Sequence, residues 1–515
     1  MKKRLMARAS LVFVPLLGIT AIALASAAVP VRAPVRPISR DGHVRHATSS
    51  TAYGGGATLP AIAYVGVSQA TTTNPATDPD PDSVFGYFLS LYGGGFQYCQ
   101  TGSGYGKKVL DGAEPASAGP NGPCAALGSS ASGFGIPSSV QDFADFAGSD
   151  APESSSDYQS FITDAGTASN YIFGRGEPVQ VPYIIGAVAL LYNNSDLTSS
   201  EPQVSLSLKT LCQIADGQIT NWDQIPQDPA EPAGAHYGIK KLKWVYRADS
   251  SGTTFSFANY VSKSCTGAGQ TYGLNQVYDI NNNNVSGGST TGVLPLPLPN
   301  GGTNANFLAG NGNPGVVDCI EGTGSCTEPG GVASTGGDGS IGYVEAANAM
   351  AAGVLNAPTV NFAELYITKK KVGHNYSPIA DLPAAAHSLA NSGLLTDMVV
   401  GPFVNNGRPS PLLEAPPVTP PAPGCLGIYN PDSYAKVKDG YPILAVTNLE
   451  FASTGNGSKA SGLQTLAKFA DSESHYGSGK ITTVDPASAS AGTTGFSGPN
   501  FNAGKIARLA SCIGT

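Results

Sequence analysis

The chain has 515 residues, carries charge on only 12% of them and has a formal net charge of −8. That balance argues against nucleic acid and anionic membrane surfaces as partners. With 65 glycines and 39 prolines the chain is rich in turns and insertions, yet it is long enough for two cores.

Met1 to Ala27 reads as a secretory signal. Lys2, Lys3, Arg4 and Arg8 form a basic start, Leu11 to Leu24 is an apolar run too short for a bilayer span, and Ala25-Ser26-Ala27 is a small-residue cleavage site. The alternative is a membrane anchor, but no later apolar stretch is long enough to span, and the first cysteine is Cys99, which argues against lipid attachment. A soluble protein of the periplasm or the cell exterior is expected. Removing the four basic residues takes the formal charge from −8 to −12. Ala28 to Tyr53 is Pro/Ala/Arg/Ser-rich and reads as a disordered spacer, with order beginning near Gly54.

Gly54-Gly55-Gly56-Ala57-Thr58-Leu59-Pro60 is a glycine loop leading into a helix near Pro60. The Thr58 hydroxyl and the N–H groups of Thr58 and Leu59 suit an anion, although a plain flexible turn has the same composition. The loop has neither the Gly-Lys-Ser/Thr of a nucleotide loop nor G-x-G-x-x-G spacing. Thr101-Gly102-Ser103-Gly104-Tyr105-Gly106 offers the Ser103 hydroxyl and N–H; Thr101 breaks the G-x-S-x-G spacing of a nucleophile elbow. Lys107 to Ser139 reads as an insertion. In Ala147-Gly148-Ser149-Asp150-Ala151-Pro152 the carboxylate is expected at the end of a buried strand; alternatively, Asp150 caps a helix starting near Ala151-Pro152.

Ile184 to Tyr192 is a continuous apolar run, as expected of a strand covered on both faces. Ser207 caps a helix carrying Leu208, Leu211, Ile214 and Ala215 on one face, with Gly217 past its end. Lys243 to Arg247 reads as a strand, and Thr253 to Val261 as a helix. Between them lies Tyr246-Arg247-Ala248-Asp249-Ser250-Ser251-Gly252-Thr253-Thr254-Phe255. A helix start presents unpaired N–H groups and the positive end of the macrodipole. Gly252 permits close backbone approach, Ser251 and Thr253 bring hydroxyls, and Arg247 a planar fork that Asp249 is placed to hold. The ordinary alternative is an N-cap serine beside a surface ion pair. Asn281 to Gly337 and Pro402 to Gly424 read as further insertions, and Tyr441 to Leu449 as another buried strand. Strands alternating with helices give an α/β fold.

All eight cysteines follow the signal, so four disulfides are expected. Loop economy favours Cys99–Cys124, Cys212–Cys265, Cys319–Cys326 and Cys425–Cys512. The rival reading, a metal site, finds no C-x-x-C and only six scattered histidines. No metal and no cofactor are expected.

The loops at Gly54, Ser103, Asp150 and Arg247 together supply what a buried oxyanion needs: N–H groups, hydroxyls, one arginine and one carboxylate. Surface charge does not argue against this, because it is screened beyond roughly 8 Å. The carboxylate discriminates. Phosphate near neutral pH carries a proton that ionised Asp150 accepts, whereas sulfate carries none. A site built around a ligand's hydrogen-bond donor rejects the analogue lacking it by roughly 10⁴–10⁵.

These residues resemble the periplasmic phosphate-binding proteins of phosphate ABC transporters, in particular their DING-type branch. The resemblance runs through Gly54–Pro60, Ala147–Pro152, Ile219-Thr220-Asn221-Trp222-Asp223, Tyr246–Phe255, Gly339-Ser340-Ile341-Gly342-Tyr343-Val344-Glu345, Tyr441-Pro442-Ile443-Leu444 and Cys512-Ile513-Gly514. It implies phosphate contacts at Thr58, Leu59, Ser103, Asp150, Arg247, Ser251, Gly252 and Thr253. It fits the Cys212–Cys265 pairing, while Cys425 departs from the pattern. It implies a two-lobed binding protein of the type II, Venus-flytrap kind, with Gly54–Gln180 plus Tyr441–Thr515 as one lobe and Val181–Gly440 as the other. The ligand cleft lies between them. The implied function is high-affinity binding of inorganic phosphate by a monomer, for uptake through a membrane permease or for scavenging outside the cell. The competing functions are a secreted phosphatase or phosphoesterase, and an extracellular scaffold built on the insertions.

Overall fold

The computed structural model describes residues 50–114, 119–127, 133–197, 203–215, 217–225, 237–265, 306–328, 332–352, 359–369, 372–390, 393–401, 413–415, 424–437, 439–469, 496–497 and 503–515. The expected signal and most of the expected spacer lie outside these residues. Order begins before Gly54. Thr51, Ala52 and Tyr53 already pair with Gly95, Phe96 and Gln97, and Tyr53 N donates to Asp145 Oδ2 at 2.8 Å.

Two sets of parallel strands organise the α/β fold. In one, the strand Thr51–Gly56 lies between Gly95–Gln100 and Phe146–Ser149. In the other, Lys243–Arg247 lies between Ser340–Glu345 and Phe307–Gly310. Two long antiparallel strands join the sets. Pro178–Asn193 is buried along all 16 residues, as its apolar run requires. Its first part pairs with Leu444–Ala452 and its last six residues pair with Ser340–Glu345. Leu444–Ala452 in turn pairs with Phe146–Ser149. The register between the two long strands shifts at Thr447/Asn448, opposite Tyr183. The second strand begins three residues later than the expected Tyr441, after Pro442-Ile443.

Helices cover the sheet where their sequences are capped and amphipathic. Leu208–Ala215 follows Ser207, whose hydroxyl accepts from Thr210 N at 3.1 Å, and Gly217 beyond it adopts φ 72°. Gly252–Ser264 begins at Ser251, whose hydroxyl accepts from Thr254 N at 3.1 Å.

The three stretches expected as insertions each carry regular structure. Lys107–Asp111 completes the helix Ser103–Asp111, and Lys107 itself is buried. Within Asn281–Gly337, Phe307–Gly310 is a sheet strand and Gly312–Glu321 a helix whose Val316, Val317, Cys319 and Ile320 join the core. The apolar spacing of these four residues inside a Gly/Asn-rich context explains both the outcome and the misreading. Within Pro402–Gly424, Leu413–Glu414 pairs with Val399–Val400. Four disulfides are formed, Cys99–Cys124, Cys212–Cys265, Cys319–Cys326 and Cys425–Cys512, the pairing that loop economy favours. Among the described residues no helix is long and apolar enough to cross a membrane.

Candidate functional site

In both sets the parallel strands end on the same region, where open α/β sheets collect ligands. Thr58 and Leu59 follow Gly56, Ser103 follows Gln100 and Asp150 follows Ser149; Ser251 to Thr253 follow Arg247. All eight expected site residues are buried.

The first set supplies a carboxyl and two loops. Thr101 N and Gly102 N both donate to Gly56 O at 2.9 Å, which ties the Ser103 loop to the glycine loop. Ser103 Oγ accepts from Asp150 N at 3.1 Å and donates to Asp150 Oδ2 at 3.3 Å. Asp150 Oδ1 is buried with no hydrogen-bond partner among the described residues. Asp150 is not a helix cap: the following helix is Ser155–Ala165, capped by Ser154 and Asp157 in a reciprocal box. Burial pushes the Asp150 carboxyl up to about 7, against the opposing pull of Arg247 and the Ser103 hydrogen bond, with Asp249 adding to the rise.

The second set supplies the cation. Arg247 donates through Nε to Asp249 Oδ1 at 2.7 Å, and its Nη2 is paired with Asp249 Oδ2. This two-point grip on a guanidinium side chain only 1% exposed is not the surface pair of the ordinary reading. Arg247 Nη1 donates to Thr253 Oγ1 at 3.0 Å. The N–H groups of Thr58, Leu59, Ser251, Gly252 and Thr253 have no hydrogen-bond partner among the described residues. They lie where two chain turns and a helix start converge on Asp150 and Arg247.

The two sets touch closely here. Gly104 N donates to Ser250 O at 3.1 Å. A Cβ on Gly252 would lie 2.5 Å from both Asp150 Cβ and Ser103 Oγ. Gly102, at φ 86°, would place a Cβ 2.5 Å from Asp249 Oδ2. Glycine is therefore required at both positions by proximity, and at Gly102 by backbone conformation as well.

Sequence reasoning missed three contributors. Gly312 N donates to Asp249 Oδ1 at 2.9 Å, using one free N–H of a second helix start. Asn313, the next residue, bonds Arg247, Thr58 and Thr253. Asn348 Nδ2 reaches Thr58 O and Leu59 O, both at 3.4 Å. Glu345 holds Asn348 in place, accepting from Ala347 N and Asn348 N at 2.8 Å. Burial pushes the Glu345 carboxyl up to about 8, opposed by those hydrogen bonds. The available signal for Asn313 was Asn311-Gly312-Asn313-Pro314 ahead of Val316, Val317 and Ile320, a polar cap before an apolar helical stripe.

One helical turn beyond Ser103 lies a second buried polar group. Lys107 Nζ donates to Pro152 O at 3.2 Å and pairs with Asp157. Asp111, Glu153 and Glu450 surround it, all buried. Among the described residues no group of three or more His, Cys, Asp or Glu is arranged to hold a metal ion.

A family model described as "PBP superfamily domain" matches residues 97–381. A "Phosphate-binding protein" of an unknown prokaryotic organism is 26% identical over 279 residues, 54% of this chain and 60% of its own length. "Alkaline phosphatase L" of Pseudomonas aeruginosa is 31% identical over 121 residues, 23% of this chain and 27% of its own length. The match thus spans under two thirds of these relatives. A crystal structure of a DING protein is 20% identical with a TM-score of 0.51, covering 89% of this chain and 93% of the other. That likeness establishes a shared fold.

Proposed function

Because the chain belongs to the PBP superfamily, we propose that it binds inorganic phosphate, in its mono- or dihydrogen form, at Thr58, Leu59, Ser103, Asp150, Arg247, Ser251, Gly252 and Thr253. The observation that carries this reading is the free, buried Oδ1 of Asp150 beside an arginine and unpaired N–H groups. Donors alone would suit any oxyanion. A buried carboxylate among them suits one that brings a proton, and it repels sulfate.

The reading extends to a two-lobed protein, Gly54–Gln180 with Tyr441–Thr515 against Val181–Gly440, closing on its ligand by hinge motion. It is exported as a monomer and either delivers phosphate to a membrane permease or scavenges it outside the cell. The name of the Pseudomonas relative gives a second reading, phosphate-ester hydrolysis.

The experiment is calorimetric titration of phosphate-stripped protein with phosphate and with sulfate, in the natural sequence and in Asp150→Asn. Micromolar or tighter phosphate binding without a sulfate response is expected, with sulfate gaining ground in Asp150→Asn. Folded, stripped protein that binds neither ion would sink the proposal. Turnover of a chromogenic phosphate monoester, abolished by Asp150→Asn, would favour the hydrolase reading.

A further inference from the structure

Two hydroxyls in the site are each approached by two N–H groups. Thr58 Oγ1 accepts from Asn313 N at 3.2 Å and from Asn313 Nδ2 at 3.3 Å. Thr253 Oγ1 accepts from Arg247 Nη1 at 3.0 Å and lies 3.5 Å from Asn313 Nδ2. A hydroxyl has one proton and two lone pairs. With both pairs engaged, only its proton remains for a ligand. Thr58 and Thr253 are then donors with no capacity to accept.

The partners of Asn313 fix which way its amide faces. Its Oδ1 takes Arg247 Nη1 at 3.3 Å and Glu345 N at 3.2 Å, two groups that only donate. Turning the amide over would set its NH2 against a guanidinium and a backbone N–H, with no acceptor between them. Asn313 is wholly buried, so water does not offer an alternative.

We propose that Asn313 is a positioning residue that sets the proton polarity of the ligand site. It makes Thr58 and Thr253 obligate donors, so the ligand oxygens facing them must be bare, and it leaves Asp150 as the place for one ligand proton. This rests on the phosphate reading and sharpens it: the site selects monohydrogen over dihydrogen phosphate. A ligand oxygen that carries a proton toward Thr58 or Thr253 meets a second proton there.

Asn313→Asp keeps the shape but replaces the two amide N–H bonds with a carboxylate oxygen. The threonine hydroxyls then turn to donate to the introduced carboxylate and present lone pairs to the ligand. Asn313→Ala removes the same donors without adding charge. The titratable and charged groups facing the hydroxyl pair are Arg247 and Asp249, Tyr343 and Glu345 from the strand Ser340–Glu345, and Asp150 from the first set of strands. All are retained in both variants; Asn313→Asp adds a charge among them and Asn313→Ala does not, so the Asn313→Ala profile is the one that isolates the hydroxyl effect.

The test is calorimetric phosphate affinity across pH 5 to 9 for the natural sequence and both variants, with thermal melting alongside. Natural-sequence affinity per total phosphate should rise as the second ionisation of phosphate proceeds. Both variants should lose ~10-fold or more at the alkaline end and distinctly less at the acid end, flattening or reversing the profile. Equal loss at every pH, tracking a lowered melting temperature, would overturn the proposal in favour of a purely structural role. So would natural affinity and pH profile in both variants. If the natural sequence binds no phosphate at any pH, the phosphate reading fails and takes this inference with it.

Discussion

Gly252 and Asp150 come from different sets of strands, and a single added carbon on Gly252 would sit 2.5 Å from Asp150 Cβ. The same carbon would lie 2.8 Å from Ala151 N, a backbone atom that cannot swing aside. The proximity of the two sets is written into this one residue.

Gly252→Ala should therefore act as a wedge. Gly252 is the first residue of its helix, where alanine is no worse than glycine for helix formation. On the hinge reading the two sets stand apart without ligand and the contact is relieved, so the ligand-free melting temperature should stay level. Phosphate affinity should fall by ~100-fold or more, because the helix-start N–H groups no longer reach the Asp150 side. Calorimetry and melting on the same sample separate the two effects. Unchanged affinity would mean that the two sets need not approach this closely to bind.

The buried carboxyls around Lys107 predict a pH dependence of stability. Burial raises the Glu450 carboxyl from 4.5 to about 8, with Lys107 opposing and Asp157 adding to the rise. Asp111 and Glu153 are also pushed well above the ordinary range, first by burial and then by neighbouring carboxylates. These acids are protonated more readily folded than unfolded. Between the unfolded and folded values the folded state holds the extra proton, so stability falls as pH rises through that window. Glu450→Gln should flatten the drop in melting temperature between about pH 5 and pH 8. A slope identical to that of the natural sequence would remove Glu450 from the account.

Cys425–Cys512 ties the final helix, Ala503–Ser511, back to the sheet across a sequence separation of 87 residues. Replacing both cysteines by serine should cost about 4 kcal/mol by release of the unfolded chain, read as a lower denaturation midpoint. Phosphate affinity should hold, since neither cysteine belongs to the loops that carry the ligand residues. A matching loss of affinity would mean that the C-terminal tie supports the site.

Much of the site was legible because its chemistry is local in sequence. Arg247, Asp249 and Ser251 to Thr253 sit within seven residues, and strand end, turn and helix start each have their own signature there. The two sets of strands were less so. Asn313 was lost because glycine and asparagine around it look like loop, while the stripe that makes its helix comes only afterwards. Lys107 was lost for the opposite reason: a lysine in a Gly-rich segment reads as solvated, and nothing nearby announces that Asp157, fifty residues on, will hold it in the core. The pairing of Thr51 to Tyr53 was invisible because an Ala/Ser/Thr stretch becomes a strand only when a neighbouring edge is there to receive it.

The long strand Pro178–Asn193 pairs directly with the second set, and Leu444–Ala452 beside it carries the ladder on to the first. Neither set can therefore melt while the other survives without cutting this shared ladder. Heat or denaturant should meet one cooperative unit rather than two, and a probe placed in either set reports the same event. An anion held at one small spot is then felt by the whole chain as resistance to unfolding.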